Sequence, residues 1–154
     1  KLLETDPELG LVLVGRMNPD TIANKKWSET QGHRNVHFTG YINDSQRDWL
    51  FTKTLAYVFP SLMEGFGLPP LEAMAYGTPV ISSDTSCMPE VLGGAAEYFN
   101  PLNIDDMAVV IKKVISDEAL RQDLITRGHA QVKKYSWKRM AKQTHAIYLD
   151  ILKG

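Results

Sequence analysis

Two glutamates, Glu64 and Glu72, stand eight residues apart in the stretch EGFGLPPLE, with Gly65 and Gly67 after the first and Pro69 and Pro70 before the second. An ionised carboxylate only accepts hydrogen bonds, which suits a hydroxyl-rich ligand such as a ribose or a hexose. Gly65 and Gly67 can adopt positive φ and lack Cβ atoms, so the amides around them can approach a ligand closely. Prolines are tolerated where a helix starts, because the N–H groups they lack have no intrahelical acceptor there. A helix opening near Pro69 and Pro70 turns its positive end towards a phosphate or diphosphate lying against the loop. The stretch reads as a holder for something small, polar and phosphorylated. Each part also has a plainer reading. Glu72, placed in the first helical turn, would complement the helix dipole, and Gly-x-Gly alone would make a turn. The full dinucleotide fingerprint is absent, since Pro70 stands where its last glycine would be. Two carboxylates could also form a glycosidase acid/base pair, but their position around an anion-binding loop favours binding roles.

A strand must lead into this loop and a helix must follow it. Short apolar runs at 11–15, 36–42, 55–60 and 79–83, with a weaker one at 95–100, read as strands, the first of them as a buried parallel strand. Helical patterns fall between them at 20–31, 44–53, 69–76 and 88–92. Alternation of this kind predicts an α/β fold: a Rossmann-like parallel sheet with flanking helices, in which ligands gather at the carboxyl ends of the strands. After residue 103 the pattern is wholly helical. Asn103 is a natural N-cap with Asp106 in a capping-box-like position, and Ile104, Met107, Ala108, Ile111 and Ile115 form an apolar stripe. A second helix follows over 117–134. Ser136 caps a third, whose stripe is Trp137, Met140, Ala141, Thr144, Tyr148 and Ile151.

The 154 residues suggest one domain of ordinary size, able to bury about 70% of its unfolded surface. With 17 basic and 18 acidic residues and a net charge of −1, no bulk field draws it to nucleic acid. The single cysteine, Cys87, excludes an internal disulfide, and no Cys/His spacing suggests zinc. The histidines (His33, His37, His129, His145) lack metal spacing and read as structural or exposed. Asp84 and Glu90 fall at the same end of the sheet as the loop, Glu90 as a cap or ion-pair partner. No apolar run reaches membrane-span length, and KLLETDPELG lacks a signal peptide's core. That segment opens inside a helical pattern without an initiator methionine, so a fragment of a longer chain is expected.

The stretch FPSLMEGFGLPPLEAMAYGTPVISSDTSCMPEVLG closely resembles the nucleotide-sugar-binding, C-terminal domain of family 4 (group 1) retaining glycosyltransferases of the GT-B fold. Their Glu-x7-Glu pattern is matched by Glu64 and Glu72, and the resemblance extends through LVLVG, NVHFTGYI, PEVLGGAAEYFNP and YSWKRMA. It implies that Glu64 lies by the donor sugar and its phosphate, as the candidate catalytic residue, and that Glu72 binds the ribose hydroxyls. It places amides of Gly65, Phe66, Gly67 and Leu68 on the sugar and diphosphate, and the base near Gly40 and Tyr41. Taken alone, Tyr41 reads as a core or surface aromatic. The family's Arg/Lys loop, which neutralises the leaving diphosphate, would precede Lys1, as would the N-terminal acceptor domain. Arg16, Lys25 and Lys26 read mainly as solvated, with Arg16 kept as a candidate nucleotide contact.

For the parent enzyme the resemblance implies transfer of a hexose from a nucleoside-diphosphate sugar to a glycan or lipid-linked acceptor, with retention. No cofactor is expected, and no Asp-x-Asp pattern suggests a metal. The wording of the central motif leans towards GDP-mannose, with UDP-glucose and UDP-N-acetylglucosamine as alternatives. The cytoplasm, or the inner membrane face, is the expected location. A non-catalytic nucleotide-sugar-binding or interaction module is the alternative from another class. A receiver-like domain is disfavoured, because LVLVGRMN lacks the acidic residues such domains carry after their first strand.

Overall fold

The computed structural model describes Leu2 and residues 6–153, so the helix expected at the N-terminus falls largely outside the described residues. The chain divides into two compact units, 1–53 and 54–154.

In the first unit, β1 (Leu11–Val14) pairs in parallel with β2 (Val36–Gly40), with α1 (Pro19–Thr30) as the crossover and α2 (Asp44–Lys53) following. Asn18 caps α1, its Oδ1 accepting from Thr21 N at 2.8 Å. The register shifts beyond Leu13, so that Val14 faces Gly40 instead of Thr39. Gly40 has φ 71°, the left-handed backbone that lets such a bulge end the strand. The expectation of a buried first strand is corrected here. All four β1 residues are exposed, and among the described residues β2 is the one strand paired with it.

The second unit is a three-stranded parallel sheet of β3 (Tyr57–Phe59), β4 (Val80–Ser83) and β5 (Ala96–Phe99), in that spatial order. Tyr57 pairs with Val80 and Val80 with Ala96, so the ends of neighbouring strands lie side by side. Helix α3 (Leu68–Ala75) connects β3 to β4. Helix α4 (Met88–Leu92), with a single 3-10 turn after it, connects β4 to β5. Three helices then follow: α5 (Ile104–Ser116), α6 (Glu118–Val132) and α7 (Trp137–Lys153). The core joins Ile81 and Phe99 of the sheet to Val114 and Leu124, with Met107, Val110 and Ile111 packed around them. The packed face of α5 centres on 107/110/111/114; Met107, Ala108, Ile111 and Ile115 of the expected stripe are half-buried, but Ile104 lies 71% exposed outside it.

The caps explain where these helices begin. Asn103 Oδ1 accepts from the amides of Asp105 and Asp106. The reciprocal half of the capping box does not form, because Asn103 N already bonds Asn100 O. Asp106 instead accepts from Asn100 N at 2.6 Å. Asp117 caps α6 through Leu120 N, and Ser136 Oγ accepts from Arg139 N at the start of α7. No residue of α7 is buried, and its apolar stripe is open, with Trp137 70% and Ile151 71% exposed.

Candidate functional site

The loop between β3 and α3 leaves the carboxyl end of the sheet, where the next connection, residues 84–87, emerges from β4. It ends at Gly67, the N-cap of α3, with φ 85° and ψ 56°. Backbone and packing both demand glycine there. A Cβ on Gly67 would stand 2.2 Å from Met88 Cε and 3.0 Å from its Sδ, and Met88 is fully buried. Gly65 differs from expectation. Its φ is not positive, and a Cβ there would meet nothing within 4 Å. It leaves open space above the loop; the chain reversal itself falls to Gly67.

Among the described residues, the amides of Gly65, Phe66, Gly67 and Leu68 have no hydrogen-bond acceptor. Pro69 and Pro70 follow as the second and third residues of α3. A helix start normally presents four orphan N–H groups, and the prolines remove two of them. The donors that remain are gathered at the loop end, on Gly67 and Leu68, with Gly65 and Phe66 just before them. This backbone is held in place from one side: Phe66 sets its ring edge-on against Tyr135 at 5.3 Å and 89°. Tyr135 is itself tied by its hydroxyl to Val91 O at 2.8 Å, which also accepts from Gln131 Nε2.

Glu64, half-buried, opens the loop and is held by hydroxyl groups. Ser61 Oγ donates to its Oε1 at 2.8 Å. Ser86 Oγ accepts from Glu64 N at 3.2 Å and donates to Glu64 O at 2.9 Å, and Cys87 Sγ donates to the same carbonyl. Ser83, fully buried at the end of β4, donates to Ser61 O at 2.6 Å, and Thr85 Oγ1 lies 3.3 Å from the same oxygen. Sequence reasoning missed Ser61, Ser83, Thr85 and Ser86, and singled out their neighbours Asp84 and Glu90. The signal was available in the hydroxyl-rich run SSDTS at the carboxyl end of a strand adjacent to β3.

Glu72 is exposed and is the fifth residue of α3, so it lies in the second turn and not, as expected, the first. The helix begins one residue early, at Leu68. The dipole effect fades beyond the first turn, which weakens the plain explanation of Glu72. Tyr57 links the two glutamates. Burial pushes its phenol up to about 12, and the negative charges of Glu72 and then Glu64 add to the rise. Its ring stacks on Phe59 at 6.1 Å along the same strand face. The folded protein holds this proton more tightly than the unfolded chain. Stability is therefore unaffected by it below about pH 10 and falls as pH rises from about 10 towards 12. Tyr98, also raised to about 12 by burial and then by Tyr135, contributes to the same slope. Urea denaturation at successive pH values is expected to show this alkaline loss, shallower in Tyr57→Phe; an unchanged slope would contradict the assignment.

The remaining candidates belong to the first unit. Arg16 is exposed just after β1. Gly40 ends β2 in its bulge, where a Cβ would meet Met17 Cγ at 3.6 Å. Tyr41 is 82% exposed, a surface aromatic. In the second unit, Cys87 is half-buried, as a packed thiol would be.

Residues 1–131 match the family model described as Glycosyl transferases group 1. The chain belongs to that family. It is 36% identical over 113 residues to O-antigen chain mannosyltransferase B of Escherichia coli, covering 73% of this chain and 30% of that protein. It is 30% identical over 150 residues to the MMP alpha-(1->4)-mannosyltransferase of Mycolicibacterium hassiacum, covering 95% of this chain and 36% of that protein. The chain thus spans about a third of each of these two relatives. Among solved structures, it resembles the C-terminal domain of a group 1 family glycosyl transferase from Francisella tularensis, at TM-score 0.72 and 28% identity, over 86% of this chain and 72% of that one. Sucrose-phosphate synthase from Thermosynechococcus elongatus shares the fold at TM-score 0.85 and 24% identity, over 99% of this chain and 41% of that one. An Anabaena protein in complex with UDP does so at TM-score 0.81 and 21% identity, over 97% and 43%. The fold is that of the C-terminal domain of a GT-B glycosyltransferase.

Proposed function

We propose that this chain is the donor-binding half of a retaining glycosyltransferase, holding a nucleoside-diphosphate sugar for transfer of a hexose to a glycan or lipid-linked acceptor. One observation carries the reading: four adjacent amides with no protein acceptor among the described residues, at a turn leading into a helix, with a carboxylate on either side. The diphosphate lies against the amides of Gly65 to Leu68 and the start of α3. Glu72 accepts from the ribose hydroxyls, and Glu64 faces the sugar and its phosphate. The barrier falls because donors fixed in advance stabilise the charge developing on the leaving diphosphate. Protein groups supply that stabilisation in this reading, with neither metal nor cofactor. The names of the relatives favour mannose as the sugar, and the UDP held by the Anabaena protein keeps a uridine donor as the alternative. The open stripe of α7 is the surface that meets the acceptor domain of the parent enzyme. No described helix is long and apolar enough to cross a membrane. The parent works in the cytoplasm or against the inner membrane face.

Calorimetric titration of the chain with GDP, UDP and ADP tests this reading. Preferential binding of one is the expected result and names the nucleotide; binding of none contradicts it.

A further inference from the structure

We infer that Ser61 and Ser86 are positioning residues for Glu64, aiming its carboxylate at the donor sugar. The inference rests on Glu64 being a sugar contact. A glutamate side chain turns about three bonds, so its carboxylate reaches a ligand reliably only if something holds it. Ser61 does so from three residues away, donating to Oε1 at 2.8 Å, a bond to an ionised acceptor and so stronger than a neutral one. Among the described residues Oε2 makes no hydrogen bond, which leaves that oxygen for a ligand hydroxyl. Ser61 is anchored in turn: its carbonyl accepts from the fully buried Ser83 at 2.6 Å.

Ser86 fixes the other end of the same residue. Its single hydroxyl accepts from Glu64 N and donates to Glu64 O, clamping both backbone groups from across the sheet end. It does this with φ 57°, the only positive φ of a non-glycine among the described residues. A backbone of that kind persists where surrounding interactions over-determine it, and such residues cluster at functional sites. Neither serine reaches Glu72 or the amides of Gly67 and Leu68 by a hydrogen bond. Their effect falls on the sugar end of the site and spares the nucleotide end.

The test compares GDP with GDP-mannose, and UDP with UDP-glucose, on the full chain. Ser61→Ala is expected to weaken the sugar conjugate about tenfold, the loss of one hydrogen bond to a charged group, while the free diphosphate changes by less than about twofold. Ser61→Thr keeps the hydroxyl and keeps the affinity. Ser86→Gly keeps the left-handed backbone, loses both bonds, and weakens the conjugate in the same selective way. In a Glu64→Ala background, Ser61→Ala costs nothing further. Equal losses for diphosphate and conjugate, or an undiminished loss in that background, would overturn the inference as a general structural effect. A ligand-free readout separates this inference from the nucleotide-sugar reading. The carboxyl ¹³C resonance of Glu64 should move in Ser61→Ala and hold in Ser61→Thr, and a resonance that stays put in both overturns the positioning role. Failure of the unaltered chain to bind any of the four ligands overturns the nucleotide-sugar reading and this inference with it.

Discussion

Gly67→Ala is expected to destabilise the chain by about 2–5 kcal/mol, the sum of about 1–2 for a left-handed backbone and about 1–3 for overpacking. The two costs have separate causes. At φ 85° any Cβ crowds the carbonyl that follows, and here the Cβ would also stand 2.2 Å from the Cε of buried Met88. Met88 could rotate its terminal methyl, but it is enclosed by a close-packed interior, so relief there displaces other atoms. Gly65→Ala is the control. With no positive φ and nothing within 4 Å, it should change stability by less than about 0.5 kcal/mol. It should still weaken diphosphate binding, because the methyl group fills the space above the amides. Urea denaturation of both variants checks this pair. Comparable stabilities for Gly67→Ala and the unaltered chain would mean that the turn is not built as described.

Phe99→Ala is expected to cost about 3–5 kcal/mol, the range for removing a large aromatic side chain from a packed core. Phe99 is 1% exposed at the end of β5 and packs with Ile81, Val114 and Leu124. It thereby joins the sheet to α5 and α6. Its carbonyl also accepts from Asp84 N at 2.9 Å, at the start of the connection that carries Thr85 and Ser86 to Glu64. The cavity should therefore loosen the Glu64 loop as well as lower the unfolding midpoint. Denaturation together with amide exchange at Glu64 measures both effects. A loss below about 1 kcal/mol would show that Phe99 is not central to the core.

The order of elements was legible because strand and helix periods alternate clearly and Pro, Gly, Asn and Ser mark their ends. The central loop was legible because few arrangements need two carboxylates, a Gly-x-Gly and two prolines within nine residues. Other features depend on neighbours that a linear pattern does not display. The stripe of α5 was misjudged at Ile104, which is exposed, and left out Val110 and Val114, while Met107, Ala108, Ile111 and Ile115 are half-buried, since an apolar stripe broader than its contact leaves the rotation undetermined. Asp106 found a different amide because Asn103 N was already engaged by Asn100 O. A one-residue difference in the start of α3 moved Glu72 out of the first turn. The serine and threonine support of Glu64 follows from β4 lying beside β3, and strand order is decided by packing across the sheet.

The central claim is that the loop and its two glutamates hold a nucleoside diphosphate with Glu72 on the ribose. The most direct test is calorimetry of the unaltered chain and Glu72→Ala with the preferred diphosphate and its 2′,3′-dideoxy analogue. The account predicts that the unaltered chain prefers the natural ligand by about tenfold or more, the value of one or two hydrogen bonds to a charged acceptor, and that Glu72→Ala binds both ligands equally and weakly. A preference that survives the loss of Glu72 would contradict it.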